Sequence, residues 1–210
     1  MEAGLHPQTM TVQGQLLRYT LSVPEGLTAQ APLVLCLHYA GHGSPWYGRG
    51  LLAQLAEPTL RPLGAVMIAP DCPGPSWTDP AVVPLVLALM DAIAQRWKTD
   101  PGRVVVIGYS MGGMGAWHLA AAQPDRFSAA VPIAGRPSDT LPRIPMFIVH
   151  SRRDEVVDIQ PDASAAAALS ARGVPVVFVP LERPTHYDVQ AHADAMGDLV
   201  PWLRARWTRP

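Results

Sequence analysis

Residues 104–115 read VVVIGYSMGGMG, a run of branched apolar side chains that stops at Gly108-Tyr109-Ser110-Met111-Gly112. A serine hydroxyl held at such a point can do nucleophilic chemistry. Glycines two places before and two places after it permit a strand-to-helix turn with no room for a side chain on either flank, and the turn lifts the hydroxyl clear of the sheet. A helix opening at Met111 would add backbone N–H groups and a positive dipole end beside any oxyanion formed there. The bare pattern G-x-S-x-G is weak, with about 0.07 chance matches expected in a chain of this length when Gly and Ser are each near 7%. Its context, an apolar strand before and an amphipathic helix after, sets it apart from a glycine-rich structural turn.

A serine so placed needs a scaffold. Apolar runs at 33–37, 65–69, 104–108, 129–133, 145–149 and 174–180 read as buried strands. Helix-length segments at 50–58, 81–97, 111–123, 161–172 and 189–206 lie between them, with apolar residues recurring at three and four; the stretch 163–171 is alanine-rich, as a surface helix often is. The alternation predicts an α/β fold, a mainly parallel sheet built of right-handed βαβ units with helices on both faces. Residues 11–23 (TVQGQLLRYTLSV) break the rhythm and predict an antiparallel hairpin at a sheet edge, spanning about 9–23. Length, 210 residues, predicts a single domain over 1–210. In such folds sites form at the carboxyl ends of the strands.

The segment GYSMGGMGAWHLAAAQPDRFSAAVPIAG resembles the corresponding part of α/β-hydrolase esterases related to polyhydroxybutyrate depolymerases and feruloyl esterases, and the likeness runs over about 32–198. It implies the α/β-hydrolase fold and a Ser-His-Asp catalytic triad in the chain order serine, acid, histidine. The run His150-Ser151-Arg152-Arg153-Asp154-Glu155-Val156-Val157 is similar to the family's H-G-x-x-D-x-V-V turn, which makes Asp154 the acid and His150 a structural histidine; Asp158 is the rival acid. His186, in the loop LERPTHYD before the final helix, stands where the family's base stands. His192 and His118 fall inside predicted helices and read as structural. The oxyanion hole would use the amide of Met111 and, from the loop His38-Tyr39-Ala40-Gly41-His42-Gly43, the amide of Ala40. Where the family has His-Gly this chain has His38-Tyr39, so Tyr39 is a candidate oxyanion donor, a wall of the acyl pocket, or simple packing.

Trp77 in the loop DCPGPSWTDP and Trp46 in Ser44-Pro45-Trp46-Tyr47 are candidate substrate-cleft residues on the rim, with core cover as the alternative for each. Asp79 reads as a turn or cap residue. Only about ten residues, 136–145, separate two predicted strands where many relatives insert a cap, so no lid domain is expected.

Composition narrows the remainder. Charged residues make up 16% of the chain, 16 basic against 17 acidic, and no block of like charge appears, so no nucleic-acid partner is expected. The apolar stretch 81–90 contains Pro84 and ends at Asp91, short of the ~20 residues a membrane span needs. The opening MEAGLHPQTM lacks a basic start and an apolar core, so the expectation is a cytoplasmic location without a secretory signal. Cys36 and Cys72 have neither disulfide nor metal-ligand spacing and read as free thiols in or near the core. The expected activity is hydrolysis of a small-molecule carboxylic ester without cofactor or metal. A peptidase or thioesterase with the same triad, and a non-catalytic binding protein on the same fold, are the alternatives. The oligomeric state is open.

Overall fold

In a computed structural model that describes residues 1–41 and 43–208, the six apolar runs supply strands β3 to β8 and the edge hairpin supplies β1 (Gly4–Val12) and β2 (Gln15–Val23), all in one eight-stranded sheet of order β1-β2-β4-β3-β5-β6-β7-β8. The pairings among β3 (Leu33–Leu37), β4 (Val66–Pro70), β5 (Val104–Tyr109), β6 (Ala129–Ile133), β7 (Met146–Ser151) and β8 (Val176–Leu181) are all parallel, and β2 joins β4 antiparallel. Strands β3 to β7 are buried on both faces, which is why they read as continuous apolar runs.

Alternation along the strands divides the core. Leu33, Leu35 and Leu37 face α3 (Val82–Trp97), α4 (Met111–Ala122) and α5 (Gln160–Ala171), while Val34 and Cys36 face the other way. That second layer is a helical run from α1 (Gly48–Leu51) to α2 (Glu57–Leu60), joined by a π-helical turn at Leu52–Ala56, together with α6 (Val189–Asp194) and α7 (Leu199–Trp207). Cys36 is buried and Cys72 half-buried, and both thiols are free. Among the described residues no helix is long and apolar enough to cross a membrane.

Two boundaries differ from the sequence expectation. The edge hairpin starts earlier, with β1 at Gly4–Val12 paired to β2 at Gln15–Val23 through the two-residue turn Gln13-Gly14. Both turn residues have positive φ, 49° and 81°, the geometry that matches strand twist. Strand β1 escaped notice because it carries His6, Pro7 and Gln8, and Pro is tolerated on an edge. The final helix, expected over 189–206, is two helices broken around Gly197. Met196, Leu199, Val200 and Leu203 are buried on either side of the break and preserve the helical rhythm. Periodicity alone therefore runs straight through it, although Gly costs about 1 kcal/mol against Ala in a helix interior.

Candidate active site

Strand β5 runs directly into α4, and Ser110 is the hinge between them, with φ 56° and ψ −115°. This is a backbone posture that L side chains rarely adopt, and it is held from two sides. The Ser110 N–H donates to the Ile133 carbonyl and its own carbonyl accepts from Met114 N–H, both at 2.9 Å. A Cβ on Gly108 would fall 2.0 Å from the Gly112 carbonyl oxygen, and one on Gly112 would fall 1.8 Å from that of Leu37. Both contacts are with main chain, which cannot swing aside. Gly112→Ala is expected to destabilise the fold by on the order of 3 kcal/mol and to lower the melting temperature by roughly 6–12 °C, read by calorimetry.

Three strand ends bring three side chains into line. His186, after β8, places Nε2 2.9 Å from Ser110 Oγ and Nδ1 2.6 Å from Asp154 Oδ2, Asp154 lying just after β7. The other carboxylate oxygen of Asp154 accepts from the amides of Val156 at 2.9 Å and Val157 at 2.7 Å. Burial alone would push this carboxyl up, but the His186 bond and the two amides outweigh it and hold it below its ordinary value. An ionised Asp154 can only accept, so His186 Nδ1 carries the hydrogen and Nε2 offers its lone pair to the Ser110 hydroxyl. Such a group can take a proton from the serine as the oxygen attacks.

Behind Asp154 the line continues inward. His150 Nε2 lies 3.3 Å from Asp154 Oδ2 and 3.0 Å from the Val157 carbonyl, and its Nδ1 is 2.8 Å from Asp162 Oδ2. Trp117 Nε1 donates to Asp162 Oδ1 at 3.0 Å, and all of these side chains are buried. His150 thus packs behind Asp154 and joins it to Asp162. The rival Asp158 instead accepts from Gln160 N–H at the start of α5, a local turn role. Asp79 likewise accepts from Ala81 N–H.

The loop after β3 is organised by His38. Its Nδ1 donates to the Tyr39 carbonyl at 2.7 Å and its Nε2 accepts from Cys72 N–H at 3.0 Å, so both ring nitrogens are committed to one neutral tautomer. Gly112, packed against the carbonyls of Leu37 and His38, brings the first turn of α4 against this loop. The amide of Met111, at the first position of α4, has no acceptor within its own helix. Ala40 is exposed and shares with Ser110 the lining of a cavity of about 420 Å³. His42, also in the loop as read from sequence, lies outside the described residues.

A model of the α/β hydrolase fold family matches residues 32–158, more than half of the chain. The chain belongs to the α/β-hydrolase family. Feruloyl esterase B of Neurospora crassa is 29% identical over 126 residues, 54% of this chain and 42% of that protein. A protein described as a putative esterase, NocK of Nocardia uniformis subsp. tsuyamanensis, is 29% identical over 189 residues, 82% of this chain and 55% of its own length. The chain therefore spans about half the length of these curated relatives. Among solved structures, Est1E from Butyrivibrio proteoclasticus superposes with a TM-score of 0.74 at 17% identity, over 95% of this chain and 99% of that one, a likeness of fold alone.

Within this α/β-hydrolase the two tryptophans expected on the cleft rim do not line the Ser110 cavity. Trp77 is 2% exposed; its ring packs in the core and its Nε1 donates to the His38 carbonyl at 2.8 Å. Trp46 is half-buried, and its Nε1 donates to the Gln8 carbonyl on β1 at 3.0 Å. In both, a backbone carbonyl distant in sequence captures the indole N–H. Tyr39 does line the cavity, together with Gln54, Tyr109, Val156 and Tyr187. The last four were not singled out from the sequence. The only signal was adjacency, since Tyr109, Val156 and Tyr187 stand within two residues of Ser110, Asp154 and His186.

Burial also sets a pH dependence of folding. His38 and His192 are both held below the ordinary imidazole value, chiefly by desolvation. Unfolded, each titrates near ~6.5, so between that value and the lower folded one the unfolded chain binds more protons. Stability from these residues is present above about pH 6.5 and lost as the pH falls through the folded values. His150 has the opposite sign: burial is outweighed by Asp162 and the Val157 carbonyl, its pKa is raised, and its contribution fades as pH rises through that value. Between pH 7.5 and 5.5 the urea midpoint of the wild type is expected to fall relative to that of a His38→Asn, His192→Asn double variant, which lacks these two contributions.

Proposed function

We propose that the protein is a serine esterase that hydrolyses carboxylic esters through an acyl-enzyme on Ser110. The observation that carries this is the continuous hydrogen-bonded line Ser110–His186–Asp154 opening onto a cavity at the carboxyl ends of the strands. The names of the curated relatives, feruloyl esterase and putative esterase, support the same reading.

In this reading Ser110 Oγ attacks the ester carbon while His186 Nε2 takes its proton, and the carbonyl π electrons move onto oxygen. The oxyanion is received by the amides of Met111 and Ala40. Collapse re-forms the carbonyl and expels the alkoxide, which leaves as the alcohol with the proton from His186. Water then repeats the sequence: His186 removes its proton, hydroxide adds to the acyl carbon, and the carboxylic acid departs as Ser110 regains its hydrogen. Asp154 stays ionised throughout and stabilises the imidazolium. No step calls for a metal or cofactor. Hydrolysis of p-nitrophenyl esters from C2 to C12 tests the proposal, and an enzyme that cleaves the acetate but not the matched anilide is an esterase rather than a peptidase.

Tyr39 serves this chemistry as a cavity wall. A Cβ placed on Gly50 would lie 3.7 Å from the Tyr39 hydroxyl, so the phenol oxygen points towards α1. Tyr39→Phe is therefore expected to leave kcat within about twofold, whereas removal of an oxyanion donor costs about 100-fold or more. Steady-state kinetics on p-nitrophenyl butyrate distinguishes the two.

A further inference from the structure

The peptide backbone of His186 is gripped on both sides. Its N–H donates to Glu155 Oε2 at 3.1 Å, and its carbonyl accepts the Tyr109 hydroxyl at 2.7 Å. Glu155 follows Asp154 in the chain and Tyr109 precedes Ser110. Two members of the Ser-His-Asp line therefore each have a chain neighbour bonded to the main chain of the third.

The direction of the phenol proton is decided by its surroundings. The Asp188 carbonyl can only accept, and it lies 2.8 Å from His192 Nδ1, so that nitrogen carries a hydrogen. The same nitrogen is 3.1 Å from the Tyr109 oxygen, which accepts from it and donates its own hydrogen to His186. His192 is fully buried, and its Nε2 has no hydrogen-bond partner among the described residues. A second proton there would bury an uncompensated charge, so the ring stays neutral with its hydrogen on Nδ1. Burial, reinforced by the charges of Asp154, Asp188 and Glu155, keeps Tyr109 a neutral donor.

A backbone grip matters because the imidazole must stay in reach of Ser110 at 2.9 Å and Asp154 at 2.6 Å at once. A misplacement of about 1 Å at such a site costs up to about 100-fold in rate. His186 stands in a loop between β8 and α6, where no sheet or helix bond fixes its peptide. The carboxylate of Glu155 and the hydroxyl of Tyr109 take the place of those bonds.

We infer that Tyr109 and Glu155 are positioning residues for the base His186, and that His192 orients the Tyr109 hydroxyl. The inference rests on the reading of His186 as the base, and its test includes a signal that needs no turnover. Tyr109→Phe, Glu155→Leu and Glu155→Gln are compared with the wild type by the far-downfield proton NMR resonance between His186 and Asp154, and by kcat and KM on p-nitrophenyl butyrate. Tyr109→Phe and Glu155→Leu are expected to broaden or abolish the resonance and to lower kcat about tenfold with KM within about twofold. Glu155→Gln, whose side-chain oxygen still accepts the amide, keeps both near wild type. A merely structural loss would lower the melting temperature without this pattern, and overturns the inference. So does a sharp, unshifted resonance with wild-type kcat in both Tyr109→Phe and Glu155→Leu. Glu155 is exposed, so Glu155→Leu decides the matter even if Tyr109→Phe folds poorly. If the wild type hydrolyses no ester, the functional proposal falls while the resonance still decides whether the grip holds His186.

Discussion

Ser110→Ala is expected to reduce kcat by about 10⁵- to 10⁶-fold while KM and the melting temperature stay close to wild type. Among the described residues the hydroxyl makes a single hydrogen bond, to His186, so its loss disturbs little else. Alanine meets the same φ of 56° that serine does, and the bonds that impose this posture run through the main chain, from Ser110 N–H to Ile133 and from Met114 N–H to Ser110. What remains is catalysis by the backbone amides alone, roughly 10³- to 10⁴-fold over water in comparable triads. A fluorophosphonate probe should label the wild type at Ser110 and leave the variant unlabelled. Activity within tenfold of wild type would mean that another group is the nucleophile.

Asp154→Asn carries the second large effect, about 10⁴-fold in kcat, and the geometry dictates its cause. Oδ1 of Asp154 faces two amide donors, Val156 and Val157, so an asparagine must turn its carbonyl oxygen that way. Its NH₂ then occupies the Oδ2 position against His186 Nδ1, now a donor where an acceptor stood. The imidazole answers by moving its hydrogen to Nε2, which can no longer accept from Ser110. The same NH₂ also meets His150 Nε2, 3.3 Å away, whose hydrogen is already committed towards the Val157 carbonyl. Steady-state kinetics with the purified variant checks this, and a loss smaller than tenfold would show that Asp154 does not set the tautomer of His186.

The parts of this site that were legible in the sequence are those under a local steric or topological demand. Gly108 and Gly112 are dictated by backbone contacts near 2 Å, so the turn at Ser110 announces itself over five residues. Asp154 and His186 stand out through the resemblance of their segments to the family's turn and loop, each placed after a strand, β7 or β8, that is itself recognisable as a short apolar run. Contacts between distant parts of the chain were not legible. Trp77 looked like a rim aromatic because nothing nearby in sequence shows that the His38 carbonyl captures its indole N–H. The buried chain from His150 through Asp162 to Trp117 joins three elements by polar bonds that leave no periodic trace. The break at Gly197 was hidden for the reverse reason, since buried residues on both sides keep one rhythm across two helices.

The anchoring of Trp46 to β1 extends the support of the site to the edge of the sheet. Its indole N–H is held by Gln8 on the outermost strand, and its amide, with that of Gly48, is held by Asp71 at the end of β4. The loop that supplies Tyr39 and Ala40 to the cavity is therefore tethered to the far border of the sheet. The outer hairpin is thus part of the bracing of the cavity, and a shift of β1 is passed on to the loop through one indole.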